Sequence, residues 1–218
     1  QTQWQRFCDL LWYHDDLGLW LDVSRMHLNS SALEALTPRL EQAFKAMEEL
    51  EGGAIANADE QRQVGHYWLR QPHLAPDQQV GASISAEIDA IDQFGQSILA
   101  GSIQAPNGQP FTDVLWIGIG GSALGPLLMV RALQDHAVGL PFHFFDNVDP
   151  NGMSRVLASL GERLRTTLVI TVSKSGGTPE PHLGMEQARH RLEAHGGSWP
   201  GQAVVVTMAG SKLDQQAE

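Results

Sequence analysis

From residue 114 onward the chain alternates short apolar runs with amphipathic segments, and two of those runs end in loops made of glycine and hydroxyl residues. The runs read as strands over 114–120, 141–145, 167–173 and 203–208. Between them the pattern predicts helices over 122–134, 150–160 and 178–194, with another opening at Ser211. Four strand–helix units in succession require a parallel sheet covered on both faces. The predicted fold class is therefore α/β, a doubly wound parallel sheet, with ligands bound outside the carboxyl ends of its strands. The loops after Gly120, Phe145, Ser173 and Met208 are the ones expected to carry function.

The chain before this region reads as mainly helical. Trp4, Phe7 and Leu11 recur at helical spacing, Ser31-Ala32-Leu33-Glu34 fits a capping box, and Thr37-Pro38 offers a second helix start. Leu40, Phe44, Met47 and Leu50 form a stripe that stops at Gly52-Gly53. Ile84, Ile88, Ile91, Ile98 and Leu99 mark a further helix closed by Gly101. Both stripes are expected to be core. The turn cluster Pro106-Asn107-Gly108 marks the change of pattern, which divides the chain into a mainly helical region, 1–108, and an α/β domain, 109–218. A last helix of barely one turn, on a four-stranded sheet with an uncovered edge, predicts that the chain is a piece of a longer polypeptide and the α/β domain incomplete at its C-terminal end.

Composition narrows the function classes. The formal net charge is -11, and residues 1–60 carry 4 basic against 11 acidic side chains while residues 114–208 carry 7 of each. Such a surface lacks the basic stripe that nucleic acid requires. No apolar stretch approaches the length of a membrane span, and the first residues show no basic segment leading into an apolar signal core, so a membrane partner is not expected. The single cysteine, Cys8, has no partner for a disulfide; it is expected to be a buried small apolar side chain in a cytoplasmic protein.

The chemistry lies in two loops. Gly118-Ile119-Gly120-Gly121-Ser122-Ala123-Leu124-Gly125-Pro126 lets the main chain turn sharply and approach a ligand at a helix N-terminus. Alone it also satisfies a dinucleotide pattern through Gly118, Gly120 and Ala123, with Asp146 where a ribose-binding acid could sit. Ser173-Lys174-Ser175-Gly176-Gly177-Thr178-Pro179-Glu180 gathers three hydroxyls, two glycines and a helix start around one point. Neutral donors of this kind suit a phosphomonoester and need no basic surface. The alternative for this loop is structural, with Thr178 capping the helix and Lys174 solvated.

These residues resemble the phosphoglucose isomerase family. Residues 118–126 are similar to its G-I-G-G-S-x-L-G-P signature and residues 173–180 to its S-K-S/T-x-x-T-x-E loop. Phe145-Asp146-Asn147-Val148-Asp149 resembles F-x-S-N-x-D, with Asp146 where serine is usual. Asn57-Ala58-Asp59-Glu60-Gln61-Arg62 and His66-Tyr67-Trp68-Leu69-Arg70 resemble motifs of the bacterial branch, so the likeness runs through essentially the whole chain and corresponds to the amino-terminal portion of such a protein.

The resemblance implies a sugar-isomerase (SIS) domain and the interconversion of glucose 6-phosphate and fructose 6-phosphate through a cis-enediol, with no metal or organic cofactor. It implies that Ser173, Ser175 and Thr178 hold the phosphate through hydroxyls, that Lys174 contributes its main-chain N–H, and that Gly121 and Ser122 line the sugar. It also implies a homodimer. The family's base glutamate, ring-opening histidine, arginine and lysine lie in motifs that do not occur in this sequence, so no catalytic residue is assigned and the chain alone is expected to be inactive. Glu180, in the first turn of a helix, complements its dipole, and His66 reads as a satisfied structural histidine. His143 lies outside both loops. Two other readings remain: a non-catalytic sugar-phosphate-binding module, against which the helical first half argues, and a nucleotide-dependent oxidoreductase, for which residues 173–180 would have no task.

Overall fold

The structure, a computed structural model, describes residues 2–133 and 139–218. The chain falls into two compact units, Gln1–Ile88 and Asp89–Glu218.

In the first unit, helix α1 (Gln3–Leu10) opens with a capping box in which the Thr2 hydroxyl accepts from Gln5 N and the Gln5 side chain accepts from Thr2 N. Strands β1 (Leu11–His14) and β2 (Leu19–Asp22) then form an antiparallel hairpin that the sequence pattern did not predict. The loop after it is held by the Arg6 guanidinium, which donates to the carbonyls of Ser24, Met26 and Leu28. Helix α2 (Ser30–Glu51) is continuous, contrary to the two starts expected. Its cap is Asn29, whose side chain accepts from Ala32 N at 2.8 Å, and Ser31 donates to that same oxygen instead of capping. Thr37 bonds back to the Leu33 carbonyl, as a helix-interior threonine does. Pro38 is absorbed at the cost of one helical bond, and the carbonyl it leaves unpaired belongs to the exposed Glu34.

A second short hairpin, β3 (Ile55–Asn57) with β4 (Arg62–Gln63), and helix α3 (His66–Arg70) follow. Trp68 is the buried member of its motif and donates its indole N–H to the Glu51 carbonyl. The remaining long helix, α4 (Gln78–Leu99), contains the boundary between the units. Three expectations fail in these segments. Cys8 is exposed, His66 is exposed with its ring against Tyr67, and much of both apolar stripes faces outward, with Phe44 at 65% and Ile91 at 64% of full exposure. Helical periodicity identifies an apolar face; it does not show that anything covers it.

The second unit contains the end of α4 and the α/β sheet with its helices. Strands β5 (Asp113–Ile117), β6 (Phe142–Phe145), β7 (Thr167–Ser173) and β8 (Ala203–Thr207) make one parallel sheet in the order β6-β5-β7-β8. They alternate with α5 (Gly121–Leu133), α6 (Pro150–Leu160), α7 (Pro179–Ala194), the short α8 (Trp199–Gln202) and α9 (Lys212–Ala217). Three strands and the helices between them fall within a few residues of their predicted spans. The first strand ends three residues early, at Ile117, because the glycine run leaves the sheet; residue 134 lies outside the described residues.

Alternate strand residues divide between two cores. Leu115, Ile117, Phe145 and Val169 pack with Met153, Leu157 and Leu160 of α6 and Ala188 and Leu192 of α7. On the other face Leu168 packs with Ile98, Ala105 and Phe111. At the amino-terminal end of the sheet the fully buried Asp113 accepts from Thr112 Oγ1, Arg163 Nη1 and His143 Nε2, the last at 2.8 Å. His143 is thus occupied at the end of the sheet away from the loops.

Candidate functional site

Going from β5 to β6 the chain moves to one side, and β7 then returns to the other side of β5. The order therefore reverses between β5 and β7, which pair directly, Ile117 opposite Thr171. Their following loops therefore leave the sheet from neighbouring strands at its carboxyl end, where a reversal of this kind leaves room for a ligand. These are the two loops singled out in the sequence.

After β5 the main chain makes its tightest approach at Gly118, where a Cβ would stand 2.8 Å from the Ser122 carbonyl oxygen. Helix α5 begins at Gly121, which is exposed, and Ser122 is half-buried with its N–H donating to the Ile119 carbonyl. The Ser122 carbonyl accepts from Trp116 Nε1 at 2.8 Å. Neither Trp116 nor its relation to the loop was anticipated, although a proline four residues after Ser122, at Pro126, was the available signal.

After β7 the hydroxyls divide into two levels. Ser175 and Thr178 lie together near the surface, their oxygens 3.5 Å apart, and Ser175 Oγ also accepts from Gly177 N at 3.3 Å. Ser173, the last residue of the strand, is buried at 4% exposure, and its Oγ has no partner. Among the described residues only His14 Nδ1 shares that condition. A buried hydroxyl left unpaired costs about 1–3 kcal/mol, which an acceptor brought into the loop would recover. The loop turns at Gly176, with φ +65°, whose N–H donates to the Ser173 carbonyl, while the Lys174 carbonyl accepts from Met208 N.

Thr178 occupies the N-cap position of α7 with extended backbone, but its hydroxyl makes no cap bond. The purely structural alternative for this residue thus lacks its defining contact. Glu180 stands in the first turn of α7 and lines a narrow crevice with Ile117, Gly118, Phe145 and Asn147. In the loop after β6 both acidic residues have local partners: Asp149 caps α6 by accepting from Asn151 N and Gly152 N, and Asp146 accepts from the side-chain amide of Asn147. Chemically, the arrangement offers neutral hydroxyl donors and a close main-chain approach across two adjacent strands.

The phosphoglucose isomerase family model matches residues 22–214. The chain is 72% identical over its whole length to glucose-6-phosphate isomerase of Parasynechococcus marenigrum (strain WH8102), covering 40% of that protein. It is 49% identical over 217 residues to glucose-6-phosphate isomerase of Gloeothece citriformis (strain PCC 7424), again all of this chain and 41% of the relative. Among solved structures, a glucose-6-phosphate isomerase from Chlamydia trachomatis matches with a TM-score of 0.80 and 28% identity over 98% of this chain and 41% of that one. The chain thus spans about two fifths of the length of these relatives. A match over most of its residues, a span that includes the loops after β5 and β7, places the chain in the phosphoglucose isomerase family.

Proposed function

We propose that the β5–β7 crevice holds a sugar phosphate, glucose 6-phosphate or fructose 6-phosphate, for an aldose–ketose isomerase of a cytoplasmic glycolytic and gluconeogenic step. The observation that carries this reading is the pair of hydroxyls, Ser175 and Thr178, in the loop after β7, the strand that pairs directly with the one leading into the glycine loop. Ser175 and Thr178 donate to the phosphate, with the Lys174 main-chain N–H beside them. The unpartnered hydroxyl of Ser173 joins after a small local shift, because in its present position it is covered. Gly121 and Ser122 face the sugar. Hydrogen bonds to a dianion are charge-assisted and strong, so a site without a basic cluster suffices.

The isomerisation moves a proton. A carboxylate removes it from C2 of the opened aldose, the resulting cis-enediol is held, and the proton returns at C1 to give the ketose. The two loops contribute binding and orientation; their only carboxylate is Glu180, on the α7 first turn. The base and ring-opening groups belong to residues outside these 218, with no metal or organic cofactor, and the working protein is a homodimer. Within this chain the functional division falls at 108/109, a mainly helical region followed by the first sugar-isomerase domain.

The test is calorimetric titration of the chain with fructose 6-phosphate, inorganic phosphate and fructose, beside a coupled isomerase assay free of host enzyme. Binding of the two phosphate-bearing ligands, little binding of fructose and no turnover are expected. Turnover by the chain alone overturns the assignment of the base elsewhere; absence of phosphate binding overturns the site. The non-catalytic sensing module would share the site, and it is distinguished by inactivity of a protein of the relatives' full length.

A further inference from the structure

In a helix the amide of residue 126 donates to the carbonyl of residue 122. Pro126 lies inside α5 and has no amide hydrogen, so the Ser122 carbonyl loses its helical partner. A half-buried carbonyl needs another donor. Trp116 Nε1 supplies it at 2.8 Å, from the next-to-last residue of β5. Beside this bond Gly118 brings the main chain against the same peptide, 3.1 Å from Ser122 Cβ to the place a side chain would begin.

We propose that Trp116 is a positioning residue for the sugar-facing loop, its indole N–H taking the place of the amide that Pro126 lacks. The first turn of α5 is thereby registered against the strand and not only against its own helix. Rotation of that turn about the helix axis would break the indole bond and open the Gly118 contact together, so Gly121 and Ser122 are presented at a fixed height above the sheet. The proline frees the acceptor and the tryptophan claims it, which makes the two residues one device. The role at the ligand rests on the reading of Ser122 as lining the sugar.

The experiment uses Trp116→Phe, Pro126→Ala and the double variant of the full chain. Phenylalanine keeps a ring beside Phe142 but removes the donor, and alanine at 126 restores a helical donor to Ser122. Amide hydrogen exchange at residues 122–124 is expected to quicken about 5- to 10-fold in Trp116→Phe and to return toward the parent rate in the double variant. Affinity for fructose 6-phosphate should fall by a similar factor and recover likewise, while affinity for inorganic phosphate, which tests the β7 loop alone, stays constant. Unchanged exchange in Trp116→Phe, or no recovery on adding Pro126→Ala, overturns the proposal, as does equal weakening of both ligands. If the parent chain binds neither ligand, the sugar-phosphate reading fails, and the exchange rescue still decides whether Trp116 stands in for the missing amide.

Discussion

Gly176 lies so close to Ser211 that a methyl added to it would stand 2.5 Å from the serine hydroxyl and 2.9 Å from Leu213 N. The loop after β7 is therefore backed by the start of α9, where Ser211 accepts from Asp214 N and shares a hydrogen bond with Thr207 Oγ1. The hydroxyl-bearing turn is braced from behind, which fixes where Ser175 and Thr178 point.

Gly176→Ala should damage both the fold and the site. A side chain at φ +65° costs about 1–2 kcal/mol, and the contact with Ser211 forces a further shift of the turn. A lower melting temperature and loss of inorganic phosphate binding are expected together. Retained phosphate affinity in a folded variant would show that the turn does not set the donors.

Thr178→Ala separates binding from stability, because the hydroxyl makes no bond to the helix it precedes. Removing a charge-assisted donor worth about 1.5–3 kcal/mol should weaken fructose 6-phosphate roughly 10- to 150-fold. Ligand-free stability should change by less than the ~1 kcal/mol that losing a working cap costs. A marked fall in melting temperature with unchanged affinity would restore the structural role. Lys174→Ala should matter less, since its proposed contact is through the main chain.

Asp113→Ala should cost stability without touching the ligand. The carboxylate is fully buried and its removal leaves Thr112, His143 and Arg163 without their common acceptor. Losing one side of a buried pair costs about 3–5 kcal/mol; the half-exposed Arg163 can turn to water, which favours the lower end. Denaturant unfolding measures the loss, and unaltered phosphate affinity just below the transition checks that this end of the sheet is separate from the site.

Asp22 should titrate below its ordinary value of 3.8, held down first by the Ser24 hydroxyl and then by Ser24 N–H, which outweigh the opposing effect of desolvation, with further help from Arg25. A depressed carboxylate stabilises the fold above the unfolded value, and that contribution is lost as pH falls through the folded one. Carboxyl-detected NMR should find the Asp22 midpoint raised toward the ordinary value in Ser24→Ala. An unshifted midpoint in that variant would remove the hydroxyl from the account.

Local signals in the sequence were enough to place much of the α/β domain. The spans 150–160 and 167–173 emerged as predicted because a proline after Asp149 and a strand rich in β-branched residues, Val169 to Val172 in succession, are decided by residues within one turn or strand. The two hairpins were not legible: strands of two to four residues, mostly exposed, carry too little alternation to register. Helix α2 was misjudged at Thr37-Pro38 because proline marks a possible start as readily as an interior position, and only the hydrogen bonds of Asn29 and Thr37 show which.

The sequence by itself determined the two loop chemistries, the alternation of strands and helices, and the family, because glycine, hydroxyl and apolar spacing act through neighbours along the chain. Tertiary structure alone decided that Ser173 is buried with its hydroxyl unpartnered while Ser175 and Thr178 pair near the surface, and that Trp116 answers for Pro126. Each of these depends on which strand pairs with which and on what reaches a freed or buried polar group. Such contacts join residues by distance in space, and spacing along a chain does not encode them.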